Sequence, residues 1–165
     1  MSIKTKLTKM DFINLNFVLL FSKVFIRIVF IIMTLSLVFG IVSAIIPNTF
    51  AGDFSVSRIL TPLFVLAFLP AVTYFTSAKN YLSNKRISET IEYKFEKDYL
   101  VIKGESFNSQ LTWDKIHKVT LTKNWLLIFQ TKQSANAIHR TDIWDGEIDE
   151  FKEILIEHRV KNNFS

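Results

Sequence analysis

No cysteine occurs among the 165 residues of this chain, which excludes disulfides, thiolate metal centres and a cysteine nucleophile together. Glycine appears only four times and proline three times, so the chain has neither a collagen-like nor a low-complexity composition. Also missing are a Gly-rich phosphate loop, a G-x-S-x-G nucleophile turn, an H-E-x-x-H pair and a Rossmann fingerprint, and with them the usual sequence marks of hydrolases, zinc enzymes and nucleotide binders. The most telling absence is regional. Residues 28–46 and 59–78 contain no Asp, Glu, Lys, Arg or His.

What fills those two runs is apolar. Apolar residues make up 49% of the chain and phenylalanine alone contributes 16, more than one small soluble core needs. The first run, "IVFIIMTLSLVFGIVSAII", would reach roughly 28 Å as a helix, close to the ~30 Å of a bilayer core. The second, "ILTPLFVLAFLPAVTYFTSA", carries Pro62 near its start, where a missing N–H does little harm, and Pro70 mid-span, where a kink is expected. Two helices apolar on every face have too little remaining chain around them to be the core of a soluble bundle. The expectation is a pair of transmembrane helices, 28–46 and 59–78, joined by an external loop at 47–58. A cleavable leader is not expected, because the first run is long and starts late.

Charge sets the orientation. Lys4, Lys6, Lys9, Lys23 and Arg27 stand before the first run against a single acid, Asp11, and Lys79, Lys85, Arg86 and Lys94 follow the second, while the loop offers Arg58 alone. By the positive-inside rule both termini lie in the cytoplasm, giving a multi-pass protein of the cytoplasmic membrane. Residues 79–165 hold nearly equal numbers of bases and acids despite the overall net charge of +5. They therefore have no footprint for a phosphate backbone, and no nucleic-acid partner is expected.

Within residues 1–27, "LTKMDFINLNFVLLFSKV" has Thr8 and Asp11 at capping-box spacing and a broad apolar side. A short cytoplasmic helix in the membrane interface is expected there, the alternative being an extension of the first span. After the spans the pattern shifts to period two. "TIEYKFE" and "YLVIKG" read as a hairpin, "SQLTW", "KVTLTK", "WLLIFQTK" and "NAIHRTD" as four more strands, and "GEIDEFKEILIEHRV" as an amphipathic helix. Phe151, Ile154 and Leu155 lie on its core stripe. Residues 87–165 thus read as an α+β cytoplasmic domain, a small antiparallel barrel or sandwich closed by a C-terminal helix, with the pleckstrin-homology-like fold as one such arrangement.

In order along the chain, "LTKMDFINLN", "IEYKFEKDYLVIKG", "LTWDKIHKV", "NWLLIF" and "EIDEFKEIL" resemble the YcxB-like family of bacterial membrane proteins. The resemblance implies a two-helix hairpin followed by a pleckstrin-homology-like domain and carries no reaction with it. One departure is that "NAIHRTDIW" keeps Arg140 but lacks the proline the family often shows there.

"LTWDKIHKV" is also the best place to look for chemistry. Asp114 and His117 could form a general acid/base pair, a carboxylate holding an imidazole in one tautomer. The competing reading is a turn between strands, with Trp113 and Ile116 anchoring the core and Asp114, Lys115 and His117 in solvent. Trp125 and Trp144 read as core or membrane-edge aromatics, and His139 with Arg140 as candidate contacts for an anionic headgroup or a protein partner. No catalytic residue, cofactor or metal is assigned. The expected role is a non-catalytic interaction or regulatory module whose partners are the lipid bilayer and an unidentified protein or headgroup. The alternatives are a small membrane-bound hydrolase using Asp114 and His117, and an accessory subunit of a transporter.

Overall fold

Lys23 interrupts the N-terminal run of helix. Its backbone is extended, φ −77° and ψ 117°, and it separates α1 (Lys9–Ser22) from α2 (Val24–Ile45). α3 (Ser57–Ser83) runs unbroken through Pro62 and Pro70. The computed structural model describes residues 1–46, 55–132 and 134–164; most of the expected external loop, 47–54, lies outside the described residues. The chain divides into two compact units, one of Asp11–Leu82 and one that joins Met1–Met10 to Ser83–Ser165.

In the helical unit, α2 and α3 are both long and apolar enough to cross a membrane. A Cβ added at Gly40, near the end of α2, would lie 2.8 Å from the carbonyl oxygen of Arg58 at the start of α3. The backbones meet there because position 40 has no side chain, and the two helices run antiparallel. At the other end, Phe12 of α1 meets Tyr81 of α3 and Phe21 meets Phe30 of α2. Three hydroxyls inside the helices are satisfied internally: Thr34, Ser43 and Thr73 each donate at 2.8 Å to the carbonyl four residues back. A chain surrounded by lipid requires such internal satisfaction. The large apolar side chains point outward, with Phe25, Leu35 and Phe75 between 64% and 72% exposed.

The second unit is built of seven strands. β1 (Ser2–Lys6), β2 (Thr90–Phe95), β3 (Tyr99–Lys103) and β4 (Asn108–Thr112) form one antiparallel sheet in that order. β5 (Lys118–Leu121), β6 (Trp125–Phe129) and β7 (Ala135–His139) form a second. β1 is the strand the pattern reading of residues 1–27 missed. "SIKTK" buries Ile3 and Thr5 and exposes Ser2, Lys4 and Lys6, and it pairs with β2 from Ser2 opposite Lys94 to Lys6 opposite Thr90. The sheet thus joins the two ends of the sequence, with the helical unit inserted between its first two strands.

Of the expected barrel or sandwich, no closed barrel is found among the described residues. The two sheets are separate, and side chains link them: the Thr5 hydroxyl donates to Asp142 at 2.5 Å and accepts the N–H of His139 at 3.5 Å. One edge of the second sheet is occupied otherwise. The N–H of Val119 donates to the carbonyl of Lys161 at 2.8 Å, and the Asn163 amide bonds both the N–H and the carbonyl of Leu121, so the C-terminal tail acts as a partial eighth strand. The sandwich encloses Tyr93, Leu100, Ile128 and Ile138 and is covered by α4 (Asp145–Glu157) through Phe151 and Leu155. Glu147 starts that helix by accepting the N–H of Trp144 at 2.9 Å. Arg159 ends it in the left-handed region, φ 55°, with its own N–H on Ile156 and that of Val160 on Leu155, the paired bonds of a Schellman closure.

Candidate functional site

Trp113–Lys115 is a 3-10 turn that carries the chain from the first sheet to the second. Trp113 is fully buried and its indole N–H donates to the carbonyls of both Glu96 and Lys97, at 3.2 and 3.0 Å. That ties the crossover to the β2–β3 turn. The ring stacks on His158, centroids 5.8 Å apart, and lies 6.2 Å from Phe151. His158 Nε2 is 2.6 Å from the Lys97 carbonyl, an oxygen that only accepts, so this nitrogen carries the proton. Ile116, Phe151 and Leu155 are buried around the same point, and half-buried Ile154 packs against them.

Asp114 and His117 flank this anchor on its solvent side. Both are exposed, and among the described residues no hydrogen bond joins them. His117 is fixed through its backbone, whose N–H donates to the Phe129 carbonyl at 2.8 Å. An acid/base pair needs its carboxylate on the imidazole, and no such bond is present between these two among the described residues. Among the described residues there is no group of three or more potential metal ligands.

His139 and Arg140 sit where β7 passes into a second 3-10 turn, Arg140–Asp142. His139 Nδ1 is 2.6 Å from the Thr141 hydroxyl, and its ring meets buried Trp125 edge to face at 4.9 Å. Arg140 donates to the Ile143 carbonyl at 3.0 Å and to Asp145 at 2.5 Å. Its guanidinium is therefore already neutralised, holding the joint before α4. Beside it Trp144 is 81% exposed; the capping position puts this indole in solvent while Trp125 is buried in β6.

Among the described residues two ionisable groups have shifted pKa values. Burial pushes the Tyr93 phenol well up, so it stays neutral. Glu89 is held below the usual carboxylate range, chiefly by the Ser106 hydroxyl at 2.6 Å and then by the Ser106 N–H at 2.9 Å. Open cavities among the described residues of the β unit include the following two. One, of about 390 Å³, is lined by Arg140, Thr141, Ile143, Trp144 and Asp145. The other, of about 370 Å³, lies between the β5–β6 turn, α4 and the tail, with Lys123 and Lys152 on its walls. Pattern reading had no signal for the second, since its parts come from three separated segments.

No curated protein and no solved structure matches this chain. A family comparison does, and the matched segment begins at the last residue of β2 and ends inside α4, leaving β1 and the helical unit outside it. Residues 95–155 of the chain are similar to the family described as YcxB-like protein.

Proposed function

We propose that this is an integral membrane protein with two spans, α2 and α3, and with its β unit on the cytoplasmic face as a non-catalytic binding or regulatory module. The observation that carries the reading is the five-residue pairing of β1 with β2. A chain that leaves the sheet at Lys6 has to come back to it at Thr90. An odd number of crossings would put the two strands on opposite sides of the bilayer, whereas two crossings return them to the same side. The basic residues flanking the helices favour the cytoplasm as that side. Four strands, three strands and a C-terminal helix also agree with a pleckstrin-homology-like arrangement, a fold that works by binding. The exposed edge at β4 suits an extended protein segment better than the β5 edge, which the tail already covers.

The absence of native cysteine makes a labelling experiment direct. A single Ser55→Cys should react with an impermeant maleimide on intact cells and Ser109→Cys only after lysis; the opposite pattern would overturn the orientation. The solvent-facing positions of Asp114 and His117, with no hydrogen bond between them among the described residues, support the non-catalytic part. Asp114→Ala and His117→Ala should leave the module's biological role intact, and its loss in a protein that still inserts and folds would favour the hydrolase alternative.

A further inference from the structure

The two cavities of the β unit differ in how their charges are spent. Around Trp144 the one cation, Arg140, is bound to Asp145 and the Ile143 carbonyl. In the cavity between the β5–β6 turn, α4 and the tail, the Thr122 hydroxyl and the Asn163 amide are spent on Trp125 and Leu121. Lys123, from the β5–β6 turn, and Lys152, from α4, have no ion pair or side-chain hydrogen bond among the described residues. Asp149 is the one acid in the lining, and no ion pair joins it to either lysine. The apolar part of the lining, Leu121, Ile148 and Phe164, is half-buried and packed on the core. Two unspent ammonium groups in one cavity with an apolar lining are complementary to one kind of molecule, an anion with a hydrophobic body. The volume, about 370 Å³, is at the small end of the roughly 300–1,000 Å³ typical of ligand pockets, which limits the occupant to a short chain or a single ring.

We propose that this cavity binds a small soluble amphiphilic anion, a phosphate or carboxylate on a short apolar group, with Lys123 and Lys152 holding the anion and Leu121, Ile148 and Phe164 the apolar part. The proposal rests on the binding-module reading of the β unit and not on the number of spans; if cysteine labelling reversed the topology while the ligand still bound, the site would stand. Lysine suits the role because its ammonium is a mobile point charge that takes phosphate or carboxylate without a fixed fork geometry. Asp149 competes with the ligand for the same cations, so its removal should help binding.

The test uses the full chain in phosphatidylcholine nanodiscs, titrated calorimetrically with octyl phosphate below its micellar concentration, with empty discs subtracted. Saturable one-to-one binding is expected, with inorganic phosphate and octanol each at least about ten-fold weaker, since each lacks half of the recognised chemistry. Lys123→Gln and Lys152→Gln should each weaken octyl phosphate by about five- to ten-fold, as expected for loss of a charge-assisted contact, and Asp149→Asn should tighten it several-fold. Thermal midpoints close to that of the parent protein would show that these exposed substitutions leave the fold intact. Absence of saturable binding, or lysine variants that bind like the parent, would overturn the proposal. Discs containing phosphatidylglycerol separate the two sources of anion. Unchanged octyl phosphate binding is expected, and its loss would assign the cavity to membrane lipid and overturn the soluble-ligand proposal.

Discussion

α2 and β6 are built from almost the same residue types and bury them in opposite ways. All five residues of "WLLIF" in β6 are buried, covered on both faces, while of the 22 residues of α2 only Gly40 is. Composition therefore does not separate the two regions; burial does. β6 makes its apolar surroundings from its own chain, whereas α2 turns its side chains outward, as a helix able to cross a membrane would.

Breaking the covered side of that comparison should give the largest effect. Phe151 touches Phe95, Trp113 and Phe164, and Phe151→Ala should destabilise the β unit by about 3–5 kcal/mol. Chemical denaturation followed by tryptophan fluorescence would read this, and the helical unit should still fractionate with membranes. The uncovered side is probed by Leu35→Lys, mid-helix and 64% exposed. On a soluble helix the change would fall within about 0.5 kcal/mol of neutral, whereas at the centre of a span it should cost about 2.5–3.5 kcal/mol of insertion free energy. An unchanged inserted fraction in a translocation assay would remove the case for α2 as a span.

Smaller effects sharpen the β unit alone. Arg159 holds a left-handed conformation at the end of α4 that glycine adopts without strain, so Arg159→Gly should stabilise the unit by about 0.5–1 kcal/mol and raise its thermal midpoint. The smallest effect concerns Glu89, whose folded pKa lies below its ordinary value because Ser106 bonds the carboxylate. Its contribution is therefore present above that ordinary value, near pH 4.5, and disappears as pH falls through the lower folded pKa. Glu89→Gln should lower stability slightly at neutral pH and flatten this part of the acid limb, with the difference from the parent vanishing as pH falls through the folded pKa.

The strands legible from sequence were those whose partner comes next in the chain. β2 and β3 alternate and meet across a short turn, and β5, β6 and β7 also pair with strands next to them in the chain, β6 as a continuous apolar run, so local pattern and final pairing agree. β1 alternates as well, but "SIKTK" is short and its partner lies beyond both helices, where no local signal points to it. Between the barrel and the sandwich the pattern could not choose for a related reason, since the tail at Lys161 and Asn163 takes the β5 edge and no periodicity announces that contact. In the candidate site, the alternation of "LTWDKIHKV" carried the burial of Trp113 and Ile116, but it could not tell that Arg140 would be spent on Asp145. That pairing depends on the turn geometry between β7 and α4.

By itself the sequence determined two uncharged runs able to span a bilayer, a run of alternating strands and an amphipathic closing helix, because each is a periodic property of neighbouring residues. Only the tertiary structure decided that the first strand belongs to the last domain, that the tail covers a sheet edge, and that Lys123 and Lys152 share one cavity. These contacts join segments far apart in the chain, and such long-range closure is set by packing of the whole core.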